Sequence, residues 1–212
     1  MTILEPIARR YLGGARSIEP EPDGIVRAMP IVLRLERPPA ARTPVLEAAA
    51  GAALALCLDP RAEPGGEWYD AVRTWVDARI RKIARRARGA HWAAVEQLPG
   101  VTVTVGDAQA RALVPGPVDE VPREVARLQI GGTDLPPDDP GPPPPGVPVI
   151  WINAALGMTT GKAAAQVGHA AMLYAAARGI TELPRFAVRD ADPDHWAHLV
   201  AQESSVRVRD GG

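Results

Sequence analysis

The sequence predicts an α/β fold, in which a small mixed sheet flanked by helices follows an amino-terminal α+β module. After residue 148, short apolar runs typical of buried strands alternate with segments that begin at helix-capping residues, in the order strand, helix, strand, helix, strand. Before residue 134, one apolar run and one alternating run flank segments of helical periodicity. The chain has 212 residues, 46% of them hydrophobic, which is enough for an ordinary core.

A proline-rich segment divides the chain. Residues 134–148 contain eight prolines, which exclude a helix or a central strand there. Such a composition favours polyproline II, so we expect a semi-rigid spacer between residues 1–133 and residues 149–212. The alternative is a docking site for the aromatic groove of a partner protein. No internal repeat is detected.

The elements of residues 1–133 follow from local patterns. Residues 29–35 form an apolar run that predicts a strand, and Thr43-Pro44 predicts the start of a helix that ends near Leu58. Apolar residues at helical spacing predict a longer helix over residues 67–88. Residues 101–105 alternate strictly and predict a strand, and residues 121–130 predict a short helix or a mixture of helix and strand.

The end of the predicted helix 67–88 is strongly basic, with Arg79, Arg81, Lys82, Arg85, Arg86 and Arg88 within ten residues. The formal net charge of −1 gives no support to nucleic-acid binding by the whole chain, so a prediction of such binding depends on local clusters of basic residues. Six neighbouring cations favour contact with phosphates, and His91 and Trp92 follow as candidates for stacking on a base. The alternative is a solvated helix end, where the helix dipole favours cations.

Residues 149–212 predict three strands and two helices. The strands are expected at residues 149–152, 184–189 and 206–209. The first helix begins in the glycine-containing turn after residue 156 and ends near Arg178. The second begins at Asp192-Pro193, a capping residue followed by proline, and ends near Glu203.

The first of these helices carries the strongest chemical signal. Lys162, Gln166 and His169 are spaced i, i+4 and i+7, so they lie on one face among alanine and glycine residues. The chain has two lysines, Lys82 and Lys162, against twenty-two arginines, and a lysine in the first turn of this helix indicates that a compact, mobile ammonium group is required there. The alternative for the lysines is that both survived a codon bias. The alternative is that these side chains make only internal structural contacts.

The residues around this face resemble a known family. In order, Leu156, Met158, Gly161, Lys162, Ala164, Ala165, Gln166, His169 and Ala170 match the signature of the archaeal and eukaryotic-type peptidyl-tRNA hydrolases, the type 2 enzymes. The resemblance implies hydrolysis of the ester between a peptide and the 3′ end of tRNA, without a metal or other cofactor. It implies that Lys162 and His169 are catalytic, that Gly161 and Gln166 bind substrate, and that tRNA is the partner. Lys162 would offer its positive charge to a phosphate or to the developing oxyanion, reinforced by the N–H groups of the helix start. His169 would accept the water proton or bind the terminal nucleotide.

The resemblance extends to the last residues. Asp210-Gly211 resembles the Asp-Ala-Gly turn that supplies a catalytic aspartate in that family, which implies that Asp210 is a third catalytic residue that orients the attacking water or holds Lys162. The family continues beyond this turn with a threonine-bearing loop and a closing strand, so we expect residues 149–212 to be a truncated hydrolase-like module. Asn153 and Ala155 stand where the family has arginine and aspartate. The alternative function is therefore a catalytically impaired RNA-binding or regulatory protein. For either function, we expect Arg81, Lys82, Arg85, Arg86 and Arg88 to contact tRNA.

Other function classes have less support. The loop before Lys162 is one residue short of a phosphate loop and lacks its hydroxyl, which argues against a nucleoside triphosphatase. His195 and His198 lack metalloprotease spacing. Cys57 is expected to be a buried apolar residue, and the most apolar run, residues 45–58, is too short to span a bilayer. We expect a cytoplasmic protein without a membrane partner, and the sequence leaves its oligomeric state open, a homodimer included.

Overall fold

The computed structural model describes residues 3–12, 21, 23–202, 206 and 208. Its helices are α1 (Glu5–Leu12), α2 (Arg42–Leu58), α3 (Tyr69–Asp77), α4 (Gly89–Glu96), α5 (Arg123–Ala126), α6 (Thr160–Arg178) and α7 (Pro193–Ala201). Its strands are β1 (Arg27–Arg34), β2 (Arg81–Ala87), β3 (Gly100–Val105), β4 (Ala108–Leu113), β5 (Gly116–Pro117), β6 (Val149–Asn153) and β7 (Ala187–Ala191). In this described part, no helix is both long and apolar enough to cross a bilayer.

The predicted fold class, a mixed sheet flanked by helices, is confirmed, but the sheet lies in a different part of the chain. Strands β2, β1, β4 and β3 form it in that order, and β5 pairs with β1. The sheet is mixed because β1 is parallel to β2 and antiparallel to β4 and β5. It is therefore built entirely before the proline-rich segment. After that segment, β6 and β7 form a separate parallel pair.

The two parts of the chain share one order of elements, although the sequence shows no internal repeat. In each part a strand leads into a long helix, then into a parallel neighbouring strand, then directly into a short helix: β1-α2-β2-α4 and β6-α6-β7-α7, with α3 inserted before β2. Both long helices carry Thr and Gly eight positions apart, Thr43 and Gly51 in α2, Thr160 and Gly168 in α6.

The long helices α2 and α6 pack against each other and join both parts in one hydrophobic core. Gly168 permits this close approach, because a Cβ atom there would lie 3.1 Å from the Cβ of Ala53. Two ion pairs cross the same boundary: Arg42 contacts Asp190 at 2.6 Å, and Arg189 contacts Glu47 at 3.2 Å. Residues 1–133 and 149–202 are thus in direct contact.

The proline-rich segment contains neither helix nor strand, as predicted, but it does not hold two units apart. Leu135 is buried in the shared core. Asp138 accepts hydrogen bonds from the backbone N–H and the hydroxyl of Thr43, and Leu135 N–H donates to the hydroxyl of Thr160. The segment is therefore bonded to the first turns of both long helices. Thr43 lies inside α2, whose N-cap residue is Ala41, so its predicted capping role is wrong.

The predicted helix over residues 67–88 is wrong in its second half. Helix α3 ends at Asp77, and residues 81–87 form strand β2 beside β1. The chain turns at Ile80, a buried residue with a φ of 46°. β-Branched residues rarely adopt this left-handed conformation, and no glycine or proline marks the turn in the sequence. Tertiary pairing with β1 overrides the helical periodicity.

Most of the other predicted elements lie close to their predicted positions, whereas α1, α4, β4 and β5 were not predicted. Strands β1, β3 and β6 and helices α2 and α6 lie where expected, and the predicted Asp192 cap accepts the His195 N–H at 2.8 Å. Strand β7 begins three residues later than the predicted strand 184–189. Half of the third predicted strand, residues 207 and 209 of 206–209, lies outside the described residues. The two described residues of this segment, Val206 and Val208, both pack against the core.

Candidate functional site

Helix α6 is positioned by its sequence at both ends. Thr159 caps its start, since its hydroxyl accepts the Lys162 N–H at 3.4 Å. Gly179 ends it in the left-handed conformation with a φ of 62°. Small residues line the side that packs against α2 and β2, which brings the polar face of α6 near the basic strand β2.

His169 of α6 contacts Lys82 of β2, with 3.1 Å between Lys82 Nζ and His169 Nδ1. The same ammonium donates to the carbonyl of Ile80 at 3.2 Å and lies 5.0 Å from the centre of the Trp75 ring. Trp75 is fully buried and is fixed by a 2.9 Å hydrogen bond from its indole N–H to the Arg81 carbonyl. Two sequence candidates, predicted for different tasks, are therefore brought together.

The surroundings of this pair disfavour positive charge. Burial lowers the pKa of Lys82 to about 7. Burial, and then the nearby charge of Lys82, lower the pKa of His169 well below its usual value. Cys57, as predicted, is a buried free thiol, and burial raises its pKa to about 12. Both the amine and the imidazole are thus available in uncharged form near neutral pH, which is the condition for general-base chemistry.

Gln166 lines a cleft of about 590 Å³ between α6, α7 and β6. Its walls are mostly apolar and aromatic, with Trp151, Met158, Tyr174 and Trp196 among them. His169 and Lys162 are not among the lining residues. The residues predicted to share one helix face therefore have different surroundings. Gln166 faces the cleft, and His169 faces Lys82.

Lys162 is exposed in the first turn of α6 and makes no side-chain hydrogen bond or ion pair with another described residue. The N–H groups around it are occupied: Thr160 donates to Asp134, Gly161 to the Thr133 carbonyl, and Lys162 to Thr159. The expectation that these N–H groups reinforce an oxyanion site is therefore wrong for all three. Gly161 is buried against residues 130–133, so it acts here as a packing residue.

The basic stretch is divided between the two faces of β2, because successive side chains of a strand point in opposite directions. Arg85 is buried and donates to the carbonyls of Ala126 and Leu128. Arg81 pairs with Glu21. Arg86 donates to the Gly132 carbonyl at 3.0 Å, and Arg88 is exposed at the start of α4, as is Arg79 after α3. The predicted row of six cations along one helix is therefore wrong.

The third catalytic candidate, Asp210, lies outside the described residues. Asn153, which departs from the family pattern, accepts the Ala155 N–H at 3.0 Å and so stabilises the turn after β6. Within residues 3–12, 21, 23–202, 206 and 208, no three histidine, cysteine, aspartate or glutamate side chains are grouped to hold a metal ion.

The contact between Lys82 and His169 is not predictable from local sequence patterns, since the two residues are 87 positions apart and on different elements. The scarcity of lysine was the available signal, because it singled out Lys82 together with Lys162. Comparison of the chain with family models, curated proteins and solved structures gives no match. The resemblance of α6 to the type 2 hydrolases therefore stays a prediction.

Proposed function

We propose that this protein hydrolyses the ester bond between peptide and tRNA, with His169 as the general base. The observation that carries the proposal is the 3.1 Å contact between Lys82 Nζ and His169 Nδ1 on the helix whose residues resemble the type 2 signature. Lys82 acts through His169 and is a positioning residue.

The protonation of the pair determines whether His169 is a base. Above pH 7 Lys82 is largely neutral, because burial lowers its pKa to about 7. Its lone pair then accepts the Nδ1 proton of His169, which leaves Nε2 free to take a proton. Below pH 7 the ammonium donates to Nδ1, so the neutral ring carries its proton on Nε2 and cannot act as a base there.

The reaction requires no cofactor. The oxygen of a water molecule attacks the ester carbonyl carbon while the water proton passes to His169 Nε2. The bond between that carbon and the ribose oxygen breaks, and the proton moves from Nε2 to the departing oxygen. The products are a peptide with a carboxyl group and a tRNA with a free ribose hydroxyl.

Gln166 and Lys162 are the substrate-binding residues of this proposal. The cleft beside Gln166 has the apolar and aromatic lining that suits the peptidyl part, and the Gln166 amide offers it a donor and an acceptor. Lys162, exposed in the first turn of α6, offers a positive charge to a phosphate of the acceptor end. Asp210 retains the water-orienting role that the resemblance implies.

A second function, RNA binding without turnover, is favoured by one observation. The first N–H groups of α6 are satisfied within the protein, so they do not supply the oxyanion donors that acyl transfer normally uses. The two functions differ in what removal of His169 does: hydrolysis is lost in the first, and nothing measurable changes in the second.

The test is release of peptide from a purified N-acyl-aminoacyl-tRNA by the wild type and by His169→Ala, Lys82→Met and His198→Ala. We expect His169→Ala to lower kcat/KM by about 100-fold or more, as loss of a general base does. His198→Ala, at an exposed histidine of α7, is the matched control and should retain activity. We expect wild-type activity to rise from pH 6 to 8 and Lys82→Met to lose that rise. Equal turnover by the wild type and His169→Ala would refute the proposal.

A further inference from the structure

A second concavity, of about 420 Å³, lies where the parallel strands β1 and β2 end. Crevices at the carboxyl ends of parallel strands are common ligand sites. We call it the arginine pocket, because its lining includes Arg37, Arg86, Arg88 and Arg127. These come from three separate segments, after β1, along β2 and after α5, so the fold and not a local charge run assembles them.

The two acidic residues of the pocket, Glu36 and Asp134, already accept hydrogen bonds within the protein. Glu36 accepts hydrogen bonds from Arg34 Nε at 2.9 Å and from the Gly89 N–H at 3.3 Å. Asp134 accepts the Thr160 N–H at 3.3 Å. Arg34 forms an ion pair with Glu36, so five guanidinium groups face two carboxylates. Positive charge is in excess.

One of the four arginines, Arg86, is held in place by hydrogen bonds, and the other three are exposed to solvent. Arg86 donates to the neutral oxygens of Gly132 and Gln129, which fix the guanidinium without cancelling its charge. Arg37, Arg88 and Arg127 are exposed, and none forms a side-chain hydrogen bond or ion pair with another residue in the described ranges. Planar guanidinium groups recognise phosphate oxygens in pairs, which lysine does not.

We infer that the arginine pocket binds phosphate groups of an RNA strand. A volume of about 420 Å³ with arginines from three segments suits more than one phosphate of a backbone. His91, which also lines the pocket, can stack on a base. The identification of that RNA as tRNA rests on the proposed function.

The pocket adjoins α6. Its wall includes Asp134 and Leu135, and both bond to Thr160, the first residue of α6. Lys162 is exposed two residues further along. A strand held by the arginines can therefore continue towards the helix that carries Gln166 and His169.

The test compares two triple variants of the full chain for binding to fluorescent tRNA over a salt series. The first replaces Arg37, Arg88 and Arg127 with glutamine. The second, the matched control, replaces Arg9, Arg123 and Arg185, which are also exposed and do not line the pocket. All six positions are on the surface, so both variants are expected to fold.

We expect the pocket variant to bind at least 10-fold more weakly at low salt. The magnitude of the slope of log affinity against log salt should fall by about 2 to 3, since each of the three lost phosphate contacts removes about 0.7 to 0.9. The control should stay within about threefold of the wild type. Equal weakening of both variants would overturn the inference. The inference would also be overturned if the same concentration of pyrophosphate displaced tRNA from the wild type and from the pocket variant, because pyrophosphate would then not compete for the arginine pocket.

Hydrolysis of a short N-acyl-aminoacyl-adenosine separates this inference from the proposed function, because that substrate lacks the RNA strand. We expect the pocket variant to hydrolyse it at the wild-type rate. If neither protein hydrolyses it but the pocket variant binds tRNA more weakly, the pocket inference stands and the hydrolase proposal fails. If both hydrolyse it and tRNA affinity is unchanged, the pocket inference fails alone.

Discussion

Replacing Lys82 with methionine should remove a pH dependence of stability that the buried amine confers. Burial lowers the pKa of Lys82 from 10.5, the value for the unfolded chain, to about 7. Between these values the unfolded chain binds more protons than the folded protein, so the free energy of unfolding rises with pH. From pH 6.5 to 8.5 the expected gain is about 2 kcal/mol. His169, whose pKa is also lowered, contributes with the same sign near the acid end.

Urea unfolding at several pH values between 6.5 and 8.5 measures this slope. Wild type should gain about 2 kcal/mol across the range, and Lys82→Met should lose most of that gain. Lys162→Met is the matched control, because it removes the other lysine from an exposed position, and it should keep the wild-type slope. If Lys82→Met and the wild type show the same slope, the amine is not desolvated, and the protonation argument for His169 fails with it.

Three further substitutions test the packing around the candidate site by urea unfolding. Gly168→Ala places a Cβ 3.1 Å from neighbouring side chains, so it should lower the free energy of unfolding by about 1 to 3 kcal/mol. Gly161→Ala in the same helix is the control, because its added Cβ lies 3.5 Å from the nearest neighbour. It should leave the free energy of unfolding unchanged or raise it slightly. Thr160→Val leaves the buried Leu135 N–H without its acceptor and should destabilise by about 1 to 3 kcal/mol; no change would mean that the bond does not form. Arg42→Met removes the bond from α2 to β7 and should destabilise by about 1 to 3 kcal/mol, an effect that should persist at high salt because the side chain is buried.

The elements predicted correctly are those whose signals are local. The alternation in residues 100–105, the apolar run of β6 and the cap and proline before α7 each reside in a few neighbouring residues. The prediction for strand β2 was wrong because no local signal marks it. Residues Arg81–Ala87 continue the helical periodicity of the residues before them, and only pairing with β1 makes them a strand. The left-handed conformation of Ile80 carries no residue signature that sequence reasoning recognises.

The candidate site was predictable in its residues but not in its arrangement. The i, i+4, i+7 spacing placed Lys162, Gln166 and His169 on one face of a helix, and α6 is that helix. Spacing along one helix does not reveal what faces each side chain. The packing of α6 against α2 and β2 turns His169 towards Lys82, while α7 and β6 enclose the cleft beside Gln166.

The repeated topology explains why the pair spans both parts of the chain. When α2 and α6 are matched at their threonines and glycines, Val45, Ala49 and Ala52 occupy the places of Lys162, Gln166 and His169. The first long helix thus has apolar residues at the positions where the second has polar ones, and all three are buried or partly buried there. The first part instead contributes Lys82, from β2, to a histidine of the second. Separate expression of residues 149–212 should therefore leave His169 without the amine, and neither part alone holds the pair on which the proposed chemistry depends.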